Sequence, residues 1–331
     1  MRKPFVALAL VLSLATGALY AQAATTAGFQ IKPAEAYDVS KLPDDRYGRL
    51  VKYGEQLTNR TFAYLGPEVK DSKMRYAGNN LACASCHQAG GTKKYAMPWV
   101  GVHATYPQYR GRDDEVGTLE QRVNDCMERS MAGKALPLDS REMKAFTTYM
   151  HFLSKDVPVG GKVDGMGVPA LQPPNRRADL LAGSKVYQAK CVACHGPDGA
   201  GLRAGAVGSA TGYTFPPLWG KDSFNHGAGM GRLLEAYAFI KTNMPLGTVY
   251  GQPQLTDDEA FDVAGFVLSK PRPQKAHTER DYPARWNKPV DAPYPPFVDG
   301  APEEQHRFGP FQPLQENMKT LKSSLLKASG R

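Results

Sequence analysis

Amphipathic runs of helical period alternate along this chain with short segments rich in glycine and proline. From Tyr47 to Leu65 the apolar residues Leu50, Tyr53, Leu57 and Tyr64 recur at helical spacing, which predicts one helix with a single buried face. Leu180, Leu181, Val186 and Tyr187 repeat the pattern over a shorter stretch. Two later helices announce their starts: Asp139-Ser140-Arg141-Glu142 and Thr256-Asp257-Asp258-Glu259 each pair a capping residue with a glutamate three positions on. Behind those caps, Asp139 and Thr256, run Met143, Phe146, Met150 and Leu153 in one case and Phe261, Val263 and Phe266 in the other. Strands find little support, so the fold class read here is all-α, built twice on one plan.

Turn residues punctuate each copy in the same order. Gly90-Gly91 precedes Met97-Pro98-Trp99, and Gly196-Pro197-Asp198-Gly199 precedes Phe215-Pro216-Pro217-Leu218-Trp219. Eight glycines and prolines between Val157 and Pro174 mark a linker, and beyond Lys270 a proline-rich tail reads as extended chain wrapping the body, with a short helix near Leu314 to Leu326. Met1 to Ala23 has a basic start, an apolar run from Phe5 to Leu19 and small residues at Ala21 and Ala23, the form of a cleaved signal peptide. The expected division is therefore 1–23 signal, 24–156 first helical domain, 157–176 linker, 177–270 second helical domain and 271–331 tail. No later stretch reads as a membrane span, so the mature chain is expected in the periplasm.

Composition narrows the class. The chain has 331 residues, 42% of them hydrophobic and 22% charged, which excludes a disordered or collagen-like protein. The formal charge is +9, and loss of Arg2 and Lys3 with the signal lowers it by two. No run of Lys and Arg resembles a nucleic-acid arm, so nucleic acid is excluded as a partner.

The five cysteines are the most informative residues. Cys83-Ala84-Ser85-Cys86-His87 and Cys191-Val192-Ala193-Cys194-His195 both fit C-x-x-C-H, in which two thiols bond to haem vinyl groups and the histidine ligates the iron. Two copies in an exported chain point to two covalent c-type haems, one per helical domain, and so to cytochrome c-like domains. The residue opposite each histidine then separates electron carriage from chemistry. In the second half Asn243-Met244-Pro245 resembles the ligand loop of ordinary cytochrome c, with Met230 as the rival to Met244. In the first half Cys126 stands thirteen residues before Asp139 and Met127 twelve, while Met131 is eight away. Cys126 has no sixth cysteine to pair with; it is either an iron ligand or a buried or intermolecularly paired thiol with a methionine on the iron.

Arg122 and Ser130 lie four residues either side of Cys126, on one face of a helix expected from about Thr118 to Met131. Arg110, Arg112, Arg129 and Lys134 are close in sequence. A thiol, a hydroxyl and a guanidinium beside a haem suit an oxyanion; the alternative is solvated arginines paired with Glu120, Asp125 and Glu128.

With these residues in view the chain resembles the dihaem thiosulfate dehydrogenases, tetrathionate-forming periplasmic c-type cytochromes. The resemblance runs through Cys83 to Arg112, Leu119 to Leu153 and Cys191 to Leu268, and Arg-x-x-x-Cys-x-x-x-Ser after the first haem motif is its most specific element. It implies coupling of two thiosulfates to tetrathionate, in either direction, at a haem ligated by His87 and Cys126. Arg112, Arg122 and Ser130 would hold the substrate and Cys126 would carry a sulfur adduct. A second haem ligated by His195 and Met244 would pass electrons to a soluble acceptor such as a small cytochrome c. Some relatives place Lys where Asn243 stands. Two other functions remain open at this point: a dihaem electron carrier without catalysis, and a sulfur-oxidising cytochrome subunit that loads thiosulfate onto a carrier protein.

Overall fold

The computed structural model describes residues 28–328; the expected signal segment, Met1–Ala23, lies outside them. Helices of more than one turn are α1 (Arg46–Asn59), α2 (Leu119–Glu128), α3 (Arg141–Ser154), α4 (Leu180–Lys190), α5 (Leu233–Asn243), α6 (Asp257–Leu268), α7 (Glu303–Phe308) and α8 (Gln312–Ala328). Among the described residues none is long and apolar enough to cross a membrane. Asp45 accepts from Gly48 N and opens α1, and the expected cap Thr256 forms with Glu259 the reciprocal capping box of α6. At α3 the cap is Ser140, whose hydroxyl accepts from Met143 N at 3.1 Å, one residue later than the expected Asp139.

Glycine decides where the helices cross. A Cβ on Gly54 of α1 would lie 2.2 Å from the carbonyl oxygen of Ala145 in α3, and one on Gly183 of α4 would lie 2.0 Å from that of Asp262 in α6. The backbones touch at these points, so each half is built on one close helix pair, and the repeat seen in sequence is a repeat in space. Three expectations are corrected. The buried face of α1 is Val51, Gly54, Leu57 and Thr58, with Leu50, Tyr53 and Tyr64 only packed along its margin, because the face nearest α3 centres on the glycine. The expected continuous helix to Leu65 is interrupted at Arg60, where φ is −139°. In α4 the buried residues are Gly183 and Tyr187, and Leu181 is exposed.

Two apolar cores result. The first gathers Val51, Leu57, Met143, Phe146 and Leu153 with three residues of α2, Leu119, Val123 and Met127. In the second, Tyr187, Tyr237 and Phe261 are joined by Phe311 and Leu314 from the tail. The tail thus closes one core while Tyr282 N donates to Arg112 O on the other half at 2.7 Å; it wraps the body as expected. Two antiparallel hairpins form where strands were not anticipated: β1 (Gln108–Arg110) with β2 (Glu115–Gly117), and β3 (Leu202–Arg203) with β4 (Tyr213–Phe215). Both are too short to show an alternating pattern, and the first carries Arg110 and Arg112 to the site described next. The halves are clasped by Asn243 Nδ2, which donates to Tyr95 O at 3.0 Å, and by the rings of Tyr95 and Tyr250, tilted by 37° with centroids 3.9 Å apart.

Candidate haem and anion site

A cavity of about 460 Å³ opens beside the first C-x-x-C-H segment, with Cys83, Cys86, His87 and Cys126 in its wall. Its size is that of a cofactor site, and burial pushes the thiols of Cys83 and Cys86 up to about 12. His87 places Nδ1 2.6 Å from the carbonyl oxygen of Met97. That acceptor requires a proton on Nδ1, which leaves the Nε2 lone pair free for a metal. The second motif repeats the device, with His195 Nδ1 2.8 Å from Pro216 O. In both halves the acceptor lies in the segment of proline and aromatic residues that follows the haem motif.

Helix α2 sorts its residues by face. Leu119, Val123 and Met127, spaced at four, are buried in the first core. Arg122 and Cys126 lie one position back on a neighbouring stripe and line the cavity; the helix ends at Glu128, short of the expected Met131, so Ser130 reaches the cavity from the turn that follows α2. With α3 capped at Ser140, Cys126 stands fourteen residues before the cap and Met127 thirteen, so distance to the cap does not single out the cysteine; the helix face does. Arg122 Nη1 donates to Cys126 Sγ at 2.7 Å. Burial would raise the Cys126 thiol, but opposing influences led by the Arg122 guanidinium hold it at about 6. Met127 and Met131 also touch the cavity but are 1% and 3% exposed members of the core.

The arginines divide into structural and available. Arg110 is held by Asp113 at 2.9 Å and by Asp125, joining the β1–β2 hairpin to α2. Glu128 takes Lys275. Arg122 makes no ion pair with a carboxylate among the described residues, so the alternative of solvated pairs does not describe it. Arg112 lines the cavity but shares its Nη1 between Asp281 and the Tyr294 hydroxyl, both at 2.9 Å. Ser130 lines the cavity too, and its carbonyl is fixed by Asn79 Nδ2 at 2.9 Å. In the second half, His195 is buried and Met244, half-buried, follows directly on α5 beside the clasped Asn243. Met230 packs on the second core and also reaches the first cavity.

Residues 73–159 match the SoxA/TsdA cytochrome c domain, and residues 180–271 match cytochrome c. The thiosulfate dehydrogenase of Allochromatium vinosum is 45% identical over 236 residues, which cover 70% of this chain and 82% of that protein. The chain belongs to the thiosulfate dehydrogenase family. The thiosulfate dehydrogenase of Thiomonas intermedia is 42% identical, covering 71% of this chain and 70% of its own length. The solved structure of thiosulfate dehydrogenase (TsdBA) from Marichromatium purpuratum superimposes with a TM-score of 0.64 at 33% identity, over 72% of this chain; this chain spans about half (49%) of that one. As in the family, the fold is two helical cytochrome c domains and the cofactors are two c-type haems.

Sequence reasoning did not place Arg129 or Asp281 at the site. Arg129 is buried, lines the cavity, and grips Asp281 with Nη1 at 2.9 Å and Nη2 at 2.7 Å. These partners are far apart in the chain, and no local spacing could have joined them.

Proposed function

We propose that this member of the family is a periplasmic enzyme that joins two thiosulfate ions into tetrathionate. The observation that carries the reading is the Cys126 thiol, 2.7 Å from the Arg122 guanidinium, which has no carboxylate partner among the described residues, in the wall of the first haem cavity. When bound, the two haems supply a pair of one-electron acceptors, the first held by Cys83, Cys86, His87 and Cys126 and the second by Cys191, Cys194, His195 and Met244.

The chain's own residues bind, orient and exchange sulfur. Thiosulfate is a dianion, and two of them repel; Arg122 and Arg112 offset that repulsion and Ser130 offers a hydroxyl to a sulfonate oxygen. The thiolate of Cys126 forms an S–S bond to the outer sulfur of the first thiosulfate as two electrons are withdrawn. The outer sulfur of the second thiosulfate then attacks that same sulfur, breaking its bond to Cys126, restoring the thiolate and releasing tetrathionate. Two thiosulfates thus give one tetrathionate and two electrons, and no proton moves. An external one-electron acceptor, a small soluble cytochrome c in this reading, takes the electrons from the second half.

The test is turnover of purified holoprotein with thiosulfate and an artificial one-electron acceptor, with no second protein present and tetrathionate measured as product. Reduction of one acceptor per thiosulfate is the expected stoichiometry. A requirement for a carrier protein would favour the sulfur-oxidising subunit reading, and no turnover at all the plain electron carrier.

A further inference from the structure

The cationic wall of the first cavity is finished by a part of the chain that neither haem motif contains. Asp281, in the tail, has a side chain only 8% exposed, and four donor hydrogen bonds converge on its carboxylate. Oδ2 accepts from Arg112 Nη1 at 2.9 Å, from Arg129 Nη1 at 2.9 Å and from the Tyr294 hydroxyl at 2.7 Å; Oδ1 accepts from Arg129 Nη2 at 2.7 Å. The Tyr294 hydroxyl in turn accepts from Arg112 Nη1, and the Tyr282 ring lies 5.1 Å from the Arg112 guanidinium. Both arginines line the cavity that holds Cys126.

We propose that Asp281 is a positioning residue of the anion site, orienting Arg112 and Arg129 toward a bound sulfur oxyanion from the tail side. The proposal rests on the thiosulfate reading above. Two guanidinium groups side by side repel each other and, left free, sample many rotamers; one carboxylate between them fixes both planes before an anion arrives. One negative charge against two positive ones leaves the pair cationic. Arg112 Nη1 and both Arg129 Nη atoms are engaged by Asp281, which leaves Arg112 Nε and Nη2 and the unpartnered Arg129 Nε to face an anion. Among the described residues Asp281 is the sole ion-pair partner of both Arg112 and Arg129.

The test compares Asp281→Ala, Asp281→Asn and, as a control elsewhere in the tail, Glu304→Gln, which cuts the Arg177–Glu304 pair. Two readouts are needed: KM and kcat for thiosulfate, and calorimetric binding of tetrathionate to the fully oxidised holoprotein carrying Cys126→Ser in addition, where neither haem electrons nor the thiolate can cleave it. Loss of several charge-assisted hydrogen bonds should raise KM and the tetrathionate Kd at least about tenfold in Asp281→Ala, with kcat changed by less than about threefold. Asp281→Asn, which can keep the bonds to Oδ2 and turn its amide only toward Arg129 Nη2, should fall between, and Glu304→Gln should stay within about twofold of wild type. Wild-type KM and Kd in Asp281→Ala overturn the proposal. So does a fall in both, which would mean that Asp281 only offsets charge, or an equal rise in Glu304→Gln, which would mean general loosening of the tail. Should Asp281→Ala not accumulate as holoprotein, Tyr294→Phe decides: removal of one hydroxyl from Arg112 should raise KM about threefold, and no change overturns the proposal. A wild-type protein that does not oxidise thiosulfate defeats the proposed function instead.

Discussion

Replacing Arg122 by Ala perturbs the site at the point where its chemistry is most concentrated. The guanidinium donates to Cys126 Sγ at 2.7 Å and is the leading influence holding that thiol low once burial is set aside. A hydrogen bond between charged partners contributes about 1.5–3 kcal/mol, so kcat/KM for thiosulfate should fall by roughly one to two decades. Folding should be little affected, because Arg122 has no carboxylate partner to leave stranded. Arg112→Ala should cost less, under about one decade, since one of its terminal nitrogens is already committed to Asp281 and Tyr294. The assay is steady-state oxidation of thiosulfate with an artificial acceptor, alongside absorption spectra to establish that both haems remain attached. Wild-type kcat/KM in Arg122→Ala, or a larger loss in Arg112→Ala, would refute this reasoning.

Cys126→Met should leave both haems covalently attached, alter the absorption spectrum of the first haem and nearly abolish thiosulfate oxidation; full activity would remove the cysteine from the mechanism. Met244→Gly should preserve reduction of the first haem by thiosulfate but slow delivery to the acceptor, and unaltered stopped-flow traces through the second haem would count against the exit route. Gly54→Ala and Gly183→Ala should each destabilise the holoprotein by about 1–3 kcal/mol, seen as a lower Tm, because the added methyl group meets a backbone oxygen at 2.2 Å and 2.0 Å respectively; an unchanged Tm would mean the helix pairs spread without cost. Burial pushes the Asp281 carboxyl up, but Arg129, Tyr294 and Arg112 prevail and hold it below the usual carboxylate range. Its contribution to stability is therefore full above the unfolded value of about 3.9 and fades as pH falls through the lower folded value; Asp281→Asn should lower Tm at neutral pH and flatten this acid limb, and parallel Tm curves from neutral to acid pH would show that the ion pairs add nothing.

The sequence by itself determined the chemistry that depends on residues close together in the chain. Two C-x-x-C-H motifs define haem attachment because the two thiols and the histidine fall within five residues, and Arg122 and Cys126 share a face because α2 turns at 3.6 residues. Signals longer than a few residues were legible too, notably the capping box at Thr256 and the repeated order of motif, turn and aromatic segment. What failed was finer: the cap at Ser140, the break at Arg60, the buried face of α1 and the exposure of Leu181. The last two turn on how closely two backbones approach, and Gly54 and Gly183 show why, since an absent side chain leaves no mark in a hydrophobic pattern yet decides which face is covered. The short hairpins were invisible for a related reason, having two or three residues per strand and no core of their own. Tertiary structure alone decided which arginines are free. Spacing to Cys126 marks Arg122 in the sequence, but not which of Arg110, Arg112, Arg122 and Arg129 are paired; that is settled only when Asp113, Asp125 and the distant Asp281 are brought up against three of them and leave Arg122 to the cysteine.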